Sequence, residues 1–345
     1  MLFMVNKKRR PLLKSHRHLL RLYTSLILLL VSLMGLALSL GESHLSFLDL
    51  IHVFLGKSSH AISFIVINIR LPRILAACLG GGSLALSGLL LQRLTRNPLA
   101  DSGVLGITIG AGISLAIVVS FSFFEQAHIS HYLPLFAMLG AIVTTFSVYW
   151  LSLTKQGQID PTRLILTGVA VTTILSSLMV ALVGHINRYK VDLVINWLSG
   201  QLIGDDWPTL SVIAPLLLCF WLLTYSQAHF LNIMGLADNT AIGLGLPLNR
   251  KRRLILVLAA GLGALSVLLV GNISFIGLIA GHFSTYLVGS NHKITIPISI
   301  LIGMILLLVA DTVGRVYLVG SNIQTGILVS LIGAPYFLYL MAKTK

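Results

Sequence analysis

Nine long stretches without a charged side chain, at 22–41, 74–92, 102–124, 126–154, 164–187, 207–237, 254–292, 294–310 and 316–342, govern what this chain can become. A helix needs roughly 20 apolar residues to cross a bilayer core. The 254–292 stretch is about twice that length and is interrupted at Gly271-Asn272, so it divides into two spans and the total becomes ten. Lipid offers a backbone no hydrogen-bond partner, so these spans are helices that close their own bonds. An outer-membrane barrel would show short alternating segments instead. Only 10% of the residues are charged, where a soluble domain carries about 25%. The expected fold is an all-α polytopic membrane protein: a basic tail over 1–21, then one ten-helix domain over 22–345.

The net charge of +14 follows from topology rather than from nucleic-acid binding. With both termini placed in the cytoplasm, every basic residue falls on the cytoplasmic side except Lys57, Arg70, Arg73, Arg188, Lys190 and Arg315. That asymmetry is the positive-inside rule, and the run Lys7-Lys8-Arg9-Arg10 is an orientation signal and lipid anchor. The first apolar stretch is longer than a signal-peptide core and lacks a small-x-small cleavage site, so it reads as a retained helix. Cys78 and Cys219 fall inside apolar spans, as small packing residues.

Outer connections are expected at 42–69, 125–132, 185–206, near 271–272 and at 315–325. The first holds LSFLDLIHVFLG, with the spacing of a short helix lying on the membrane. The third holds Trp197 and Trp207, which suit an interfacial position. The longest cytoplasmic connection, 229–253, is amphipathic and ends in a basic cluster. It is either a solvated loop or two short helices that dock a cytoplasmic protein. Glycines crowd several spans (Gly80, Gly81, Gly82, Gly88, Gly106, Gly110), as where helix backbones approach closely. Asp311 and Arg315, four apart, share a helix face and suit a local ion pair.

No catalytic constellation emerges. Gly56-Lys57-Ser58 lacks the upstream glycine of a phosphate loop, since position 51 is Ile, and no HExxH or GxSxG pattern occurs. His282 is a lone histidine in an apolar setting, in keeping with packing or a hydrogen bond. The ten acidic residues are too few and too peripheral for a proton relay. The chain reads as a conduit without an engine.

Several ordered pieces resemble one family: R-L-P-R at 70–73, L-A-L-S-G at 84–88 with Gln92, N-P-L-A-D at 97–101 and L-G-I-T-I-G-A at 105–111. L-T-G-V-A at 166–170, Trp197 with Gly200, A-x-x-L-G at 241–245, I-S-F-I-G-L-I at 273–279, Asp311 with Arg315, and G-A-P-Y-F-L at 333–338 follow. The set resembles the FecCD-like permease subunits of type II ABC importers for iron–siderophores, haem or vitamin B12. The resemblance implies a ten-helix permease in the bacterial plasma membrane and a second permease subunit beside it. It also implies two ATP-binding subunits below and an extracytoplasmic substrate-binding protein above. The permease itself would bind no cofactor, metal or nucleic acid; ATP and magnesium would belong to the ATPase. It further implies that Arg70, Arg73 and Arg315 dock the binding protein, and that Gly235, Ala241, Leu244 and Gly245 in 229–253 form the ATPase coupling contact. Gly88, Gln92, Asn97, Pro98, Gly106, Gly110 and His282 fall to the translocation path or to helix packing.

The pattern departs at Gly281, where the family often has proline before the histidine, and at Thr285, Asn291 and 322–326. Those changes favour one half of a heterodimer over a symmetric pair. An iron–siderophore of hydroxamate type is the favoured substrate, with haem or cobalamin as the alternative. Two other classes compete: an ion-coupled secondary transporter, which would require buried carboxylates, and an intramembrane enzyme, whose nucleophile or metal set is missing.

Overall fold

The computed structural model describes residues 16–41, 45–121, 126–185, 188–202, 206–317 and 324–343. The basic tail up to residue 15 and the pair Asn322-Ile323 lie outside the described residues. The helices run α1 His16–Ser39, α2 Phe47–Phe54, α3 His60–Phe64, α4 Leu71–Thr95, α5 Ile107–Phe121, α6 Gln126–Ser152, α7 Pro161–His185 and α8 Arg188–Leu198. They continue as α9 Trp207–Ser226, α10 Ala228–Met234, α11 Asp238–Gly243, α12 Leu248–Val270, α13 Ile276–Val288, α14 His292–Tyr317 and α15 Thr325–Lys343. Eight segments are long and apolar enough to cross a membrane, and the shorter apolar helices α5 and α13 bring the total to the expected ten. The apolar stretch at 254–292 divides as expected, at Gly271 with φ +69°.

The short helix expected in LSFLDLIHVFLG is α2. Its capping box pairs Ser46 with the Leu48 amide and Asp49 with the Ser46 amide. The second span, however, begins well before residue 74: α3 passes through a π-helical turn at Ile65–Arg70 straight into α4. Pro72 explains the turn. It has no N–H for the carbonyls one turn back, and its ring would collide with them in a regular helix. One of those carbonyls, on Ile67, accepts the indole N–H of Trp207 at 2.9 Å.

Polar contacts sort the helix ends into two groups. One end gathers the C-terminus of α1, Arg70, Arg73, Gly200, Asn272, Arg315 and Gly326. The other, the basic end, gathers Arg93, Arg96, Asn232, Asp238, Arg252 and His292.

Helix α4 is the hub. Its 18-residue apolar window is 89% buried, against 17% for that of α7, so α4 is enclosed by protein while α7 borders the outside. It packs on α12, α13 and α14, and α5 packs on α6 and α7. Glycine pairs set the closest crossings: Gly88 of α4 lies against Gly277 of α13, and Gly81 against Gly303 of α14. A Cβ at Gly88 would collide with the Gly277 backbone, which has no side-chain end to yield. Apolar surface in lipid supplies little drive for association, so backbone proximity of this kind supplies it through dispersion.

A substitution pair tests this. Gly88→Val should lower the detergent melting temperature sharply, by an overpacking penalty on the order of 3 kcal/mol or more. Gly184→Val, where an added Cβ meets nothing within 4 Å, should leave it nearly unchanged. Equal melting temperatures for the two variants would reject the crossing as a determinant of stability.

Candidate docking, coupling and translocation sites

At the far end, the three arginines do different things. Arg70 is 5% exposed and donates to the carbonyls of Leu38 and Ser39. Arg315 donates to Ala37 at 2.8 Å and to Leu40 at 2.9 Å. The last carbonyls of a helix have no partner of their own and carry its negative dipole end. Two guanidiniums from α14 and the start of α4 therefore close the C-terminus of α1. Gly41 has room for them: a Cβ there would meet both Arg70 and Arg315 side chains.

Arg73 forms a forked pair with Asp311 through Nε (3.1 Å) and Nη2 (2.9 Å). Asp311 is thus not the partner of Arg315, as its i, i+4 spacing led one to expect. Its side chain is fully buried, Arg73 is 29% exposed, and Thr325 adds a hydroxyl donor to the carboxylate. Arg73 keeps this surface while paired with a carboxylate; Arg315 is likewise half-buried but is spent on backbone carbonyls, and Arg70 is enclosed. Trp197, expected at the interface, is 3% exposed and packs beside Gly112. Trp207 is partly exposed and holds the Ile67 carbonyl.

At the basic end, the 229–253 connection contains the two short helices α10 and α11. Ala241 is fully buried, and Gly245 takes φ +81° to turn the chain toward α12. Leu236, Ile242 and Leu244 stand 43%, 57% and 61% exposed, which makes them the apolar tip of this element. Leu236 and Ile242 were not singled out in the sequence, although Ile242 lies within the A-x-x-L-G run and Leu236 five residues before it. The element is clamped from behind. Asp238 accepts Arg96 at 2.6 Å and Arg252 at 3.0 Å. Burial acts to raise the Asp238 carboxyl, but Arg252 and Arg96 outweigh it and hold the group below the usual carboxylate range. Arg96 also donates to the Leu236 carbonyl, and Asn232 accepts from the His292 backbone at 2.9 Å. Gly235 lies against the Arg93 guanidinium, which donates to His292 Nε2 at 3.1 Å.

At this same end, the chain turns at Arg96, in the left-handed conformation with φ +53°. The Asn97 carboxamide accepts the Leu99 amide at 3.0 Å and Pro98 follows in the turn. The segment then climbs back into the protein. The Asp101 carboxylate accepts the Phe275 amide at 3.1 Å and touches Gly277. Gly277 faces Gly88, seven residues before the end of α4, so Asp101 reaches roughly 10 Å inward at 1.5 Å per residue. Acidic groups are therefore not confined to the periphery: Asp101 and Asp311 both sit inside, each committed to a fixed partner. Asp101 belongs to N-P-L-A-D, yet nothing in its sequence neighbourhood points to Phe275.

A cavity of about 290 Å³ opens beside this turn, lined by Gln92, Arg93, Arg96, Pro98, Gly235, His282 and Thr285 among others. Gln92 donates to the carbonyls of Gly277 and Leu278, and His282 Nδ1 pairs with the Tyr336 hydroxyl at 2.8 Å. Asn97, Gly106 and Gly110 lie outside this lining: Gly106 (φ +69°) meets Thr144 and Thr172, and Gly110 crosses Gly140. No group of three or more His, Cys, Asp or Glu side chains suited to a metal ion occurs among the described residues.

Comparison with known proteins matches this arrangement. Residues 27–343 fit the model of the FecCD transport family. The iron(3+)-hydroxamate import system permease protein FhuG of Bacillus subtilis (strain 168) is 36% identical, covering 90% of this chain and 93% of the relative. The ferric enterobactin transport system permease protein FepD of Escherichia coli (strain K12) is 34% identical over 89% of this chain and 90% of its own. The hemin transport system permease protein HmuU of Yersinia pestis is 33% identical over 89% and 92%. A solved structure described as an inward-facing, metal-chelate type ABC transporter superposes with a TM-score of 0.80 at 29% identity, over 94% of this chain and 99% of that one. The fold, the ten apolar helices and these matches agree: the chain belongs to the FecCD transport family, and is a multi-pass bacterial membrane permease that performs no catalysis itself.

Proposed function

We propose that this chain forms half of the translocation path of an ATP-driven importer for an iron–siderophore, with a ferric hydroxamate favoured. The coarser reading, an ABC importer permease for iron chelates with its ATPase on a separate subunit, follows from the family. The hydroxamate assignment leans on FhuG. Relatives named for citrate, enterobactin and hemin lie at similar identity, so haem remains the alternative. The observation that carries the reading is the α10–α11 element. A conduit without an engine displays an apolar tip, Leu236, Ile242 and Leu244, on a base fixed by the Arg96–Asp238–Arg252 clamp. That is a surface for an ATP-hydrolysing subunit in the cytoplasm, where the basic end and both termini belong by the positive-inside rule. ATP and magnesium stay with that subunit.

At the far end Arg73 is assigned the contact with the extracytoplasmic binding protein, and Arg70 and Arg315 are assigned the role of holding the rim by closing α1. The second permease subunit is assigned a different sequence. Gly281 lies against the Gln92 side chain and Thr285 lines the same cavity, so two of the departures from the family pattern border the cavity, where a partner with the commoner residues would complement them, while Thr325 and Gly326 lie at the far end.

Reconstitution with the ATPase, a partner permease and the binding protein tests the whole reading. Uptake of a ferric hydroxamate should require ATP, and uptake driven by an ion gradient alone would overturn it in favour of a secondary transporter. Ile242→Glu with Leu244→Glu should cut transport per ATP hydrolysed by roughly tenfold, since ~1.4 kcal/mol of lost contact is a factor of ten; intact coupling would move the contact elsewhere.

The paired change Arg73→Gln with Asp311→Asn removes both charges together and leaves no buried ion alone. It should slow binding-protein association several-fold, the usual effect of a rim charge, whereas unchanged association would reject the contact. Arg315→Gln should instead lower thermal stability by about 1–3 kcal/mol, by orphaning α1 carbonyls, with association kept.

The clamp also carries a pH signature. Because the folded Asp238 carboxyl is depressed, its stabilisation is complete above the ordinary value of about 3.9. It is lost only as pH falls through the depressed value. Transport per ATP should therefore be flat between about pH 6 and 8, and a drop in that window that Asp238→Asn abolishes would contradict the assignment.

A further inference from the structure

Helices α6 and α12 face each other with matching stripes. On α12, Arg253, Leu256, Val257, Ala260 and Gly261 follow the i, i+3, i+4, i+7, i+8 spacing of one helix face. On α6, Ile142, Thr145, Phe146 and Tyr149 do the same, and Phe220 of α9 closes the top. Together they line an apolar groove of about 400 Å³. Gly261 shapes it: a Cβ there would collide with the Phe220 ring, so glycine lets that ring lie across the groove. Thr145 offers the groove no free hydroxyl proton, because it donates to the Ala141 carbonyl at 2.8 Å. No carboxylate lines it.

The charge at the groove's mouth is what selects an occupant. The run 250–253 carries four cations at the start of α12. Arg252 is held by Asp238 and the Ile159 carbonyl. Lys251 donates to Gln227 and lies over the Phe230 ring at 3.5 Å. Arg253 is exposed and makes no ion pair or hydrogen bond among the described residues, and Arg250, one turn away, is exposed as well. Both sit at the basic end, where α6 and α12 reach the membrane surface. The groove rises from there into the apolar zone, about 12 Å from Arg253 to Gly261 at 1.5 Å per residue.

An apolar slot that climbs into the bilayer from an uncompensated guanidinium matches one chemistry: an acyl chain attached to an anionic headgroup. We infer that this groove is a binding site for an anionic phospholipid, its phosphate on Arg253 and one chain along Phe146, Val257 and Phe220. The exposure of Phe146 (64%) and Val257 (62%) fits a surface that a lipid covers. Cations at a cytoplasmic surface attract acidic lipids, and basic pockets beside spans hold their headgroups.

Photolabelling tests this with the full chain in nanodiscs, using phosphatidylglycerol or phosphatidylcholine with a diazirine on the acyl chain. Peptides carrying Phe146–Tyr149 and Leu256–Gly261 should take up phosphatidylglycerol about fivefold more than phosphatidylcholine, the equivalent of the ~1 kcal/mol one basic residue contributes at an acidic surface. The exposed face of α7, with Leu166, Val169 and Ile174, should label equally with both. Arg253→Gln, at an exposed position, should bring the groove ratio near one, and Val257→Trp should fill the slot and remove the adducts of both lipids. Equal labelling of the groove in the native chain would overturn the site and leave only annular lipid. So would a ratio unmoved by Arg253→Gln. Absence of adducts there with either lipid would overturn the site as well, since no lipid chain would then occupy the groove.

Discussion

A helix that ends or is interrupted within a packed bundle leaves backbone groups without partners in their own helix, and much of this structure is arranged around supplying them. Helix α13 begins within the protein, and Asp101 rises from the 96–106 turn to accept the Phe275 amide. Helix α1 ends beside α4 and α14, and Arg70 and Arg315 take its last carbonyls. The π-helical turn before Pro72 frees the Ile67 carbonyl, and Trp207 takes it. Each supplier comes from a distant part of the chain, so each unsatisfied end becomes a tie between elements. Where such a group is buried, as at the Leu38 and Ser39 carbonyls held by Arg70, leaving it without a partner would cost several kcal/mol, so that tie helps decide which helices neighbour each other.

These ties and the glycine crossings converge on α4 and α14, and the same two helices run from one end of the molecule to the other. At the basic end they carry Arg93, Arg96 and His292, which hold the α10–α11 element. At the far end they carry Arg73 and Asp311. A push on the apolar tip at Leu236, Ile242 and Leu244 is therefore delivered to helices that also form the opposite rim. Backbone contact at Gly81–Gly303 leaves little compressible side chain between them, which suits transmission of rigid-body motion rather than its absorption.

What could be read from the sequence was whatever depends on local pattern. Charge-free stretches marked the ten spans, Gly271-Asn272 marked the division of the longest, and amphipathic spacing marked α2, while 229–253 stayed open between a loop and two short helices, which the fold resolves as α10 and α11. Charge misled where it was buried. Arg70 and Arg73 made the 60–73 segment look like an outer loop, although Arg70 is enclosed by α1 carbonyls and the helix runs through it. The Asp311 partner was misread for the same kind of reason. Helical spacing proposes Arg315, four residues away, whereas the pair that forms joins positions 238 apart. Asp101 was legible as part of a motif but not as a helix cap, because its partner is supplied by a different helix.

The net charge of +14 can be divided in the same physical terms. At the basic end Arg96 and Arg252 share one carboxylate, Arg93 leans on His292, and Lys251 lies on Phe230. One acid thus serves two arginines, and Arg250 and Arg253 are left with no acid among the described residues. Within a single soluble domain such a surplus would be a repulsive burden. At a membrane surface the counter-charge comes from lipid headgroups, within a Debye length of about 8 Å. On the proposed orientation the surplus would do two jobs: hold this end of the bundle in the cytoplasm by the positive-inside rule, and draw acidic lipid to the helix that follows the α10–α11 element.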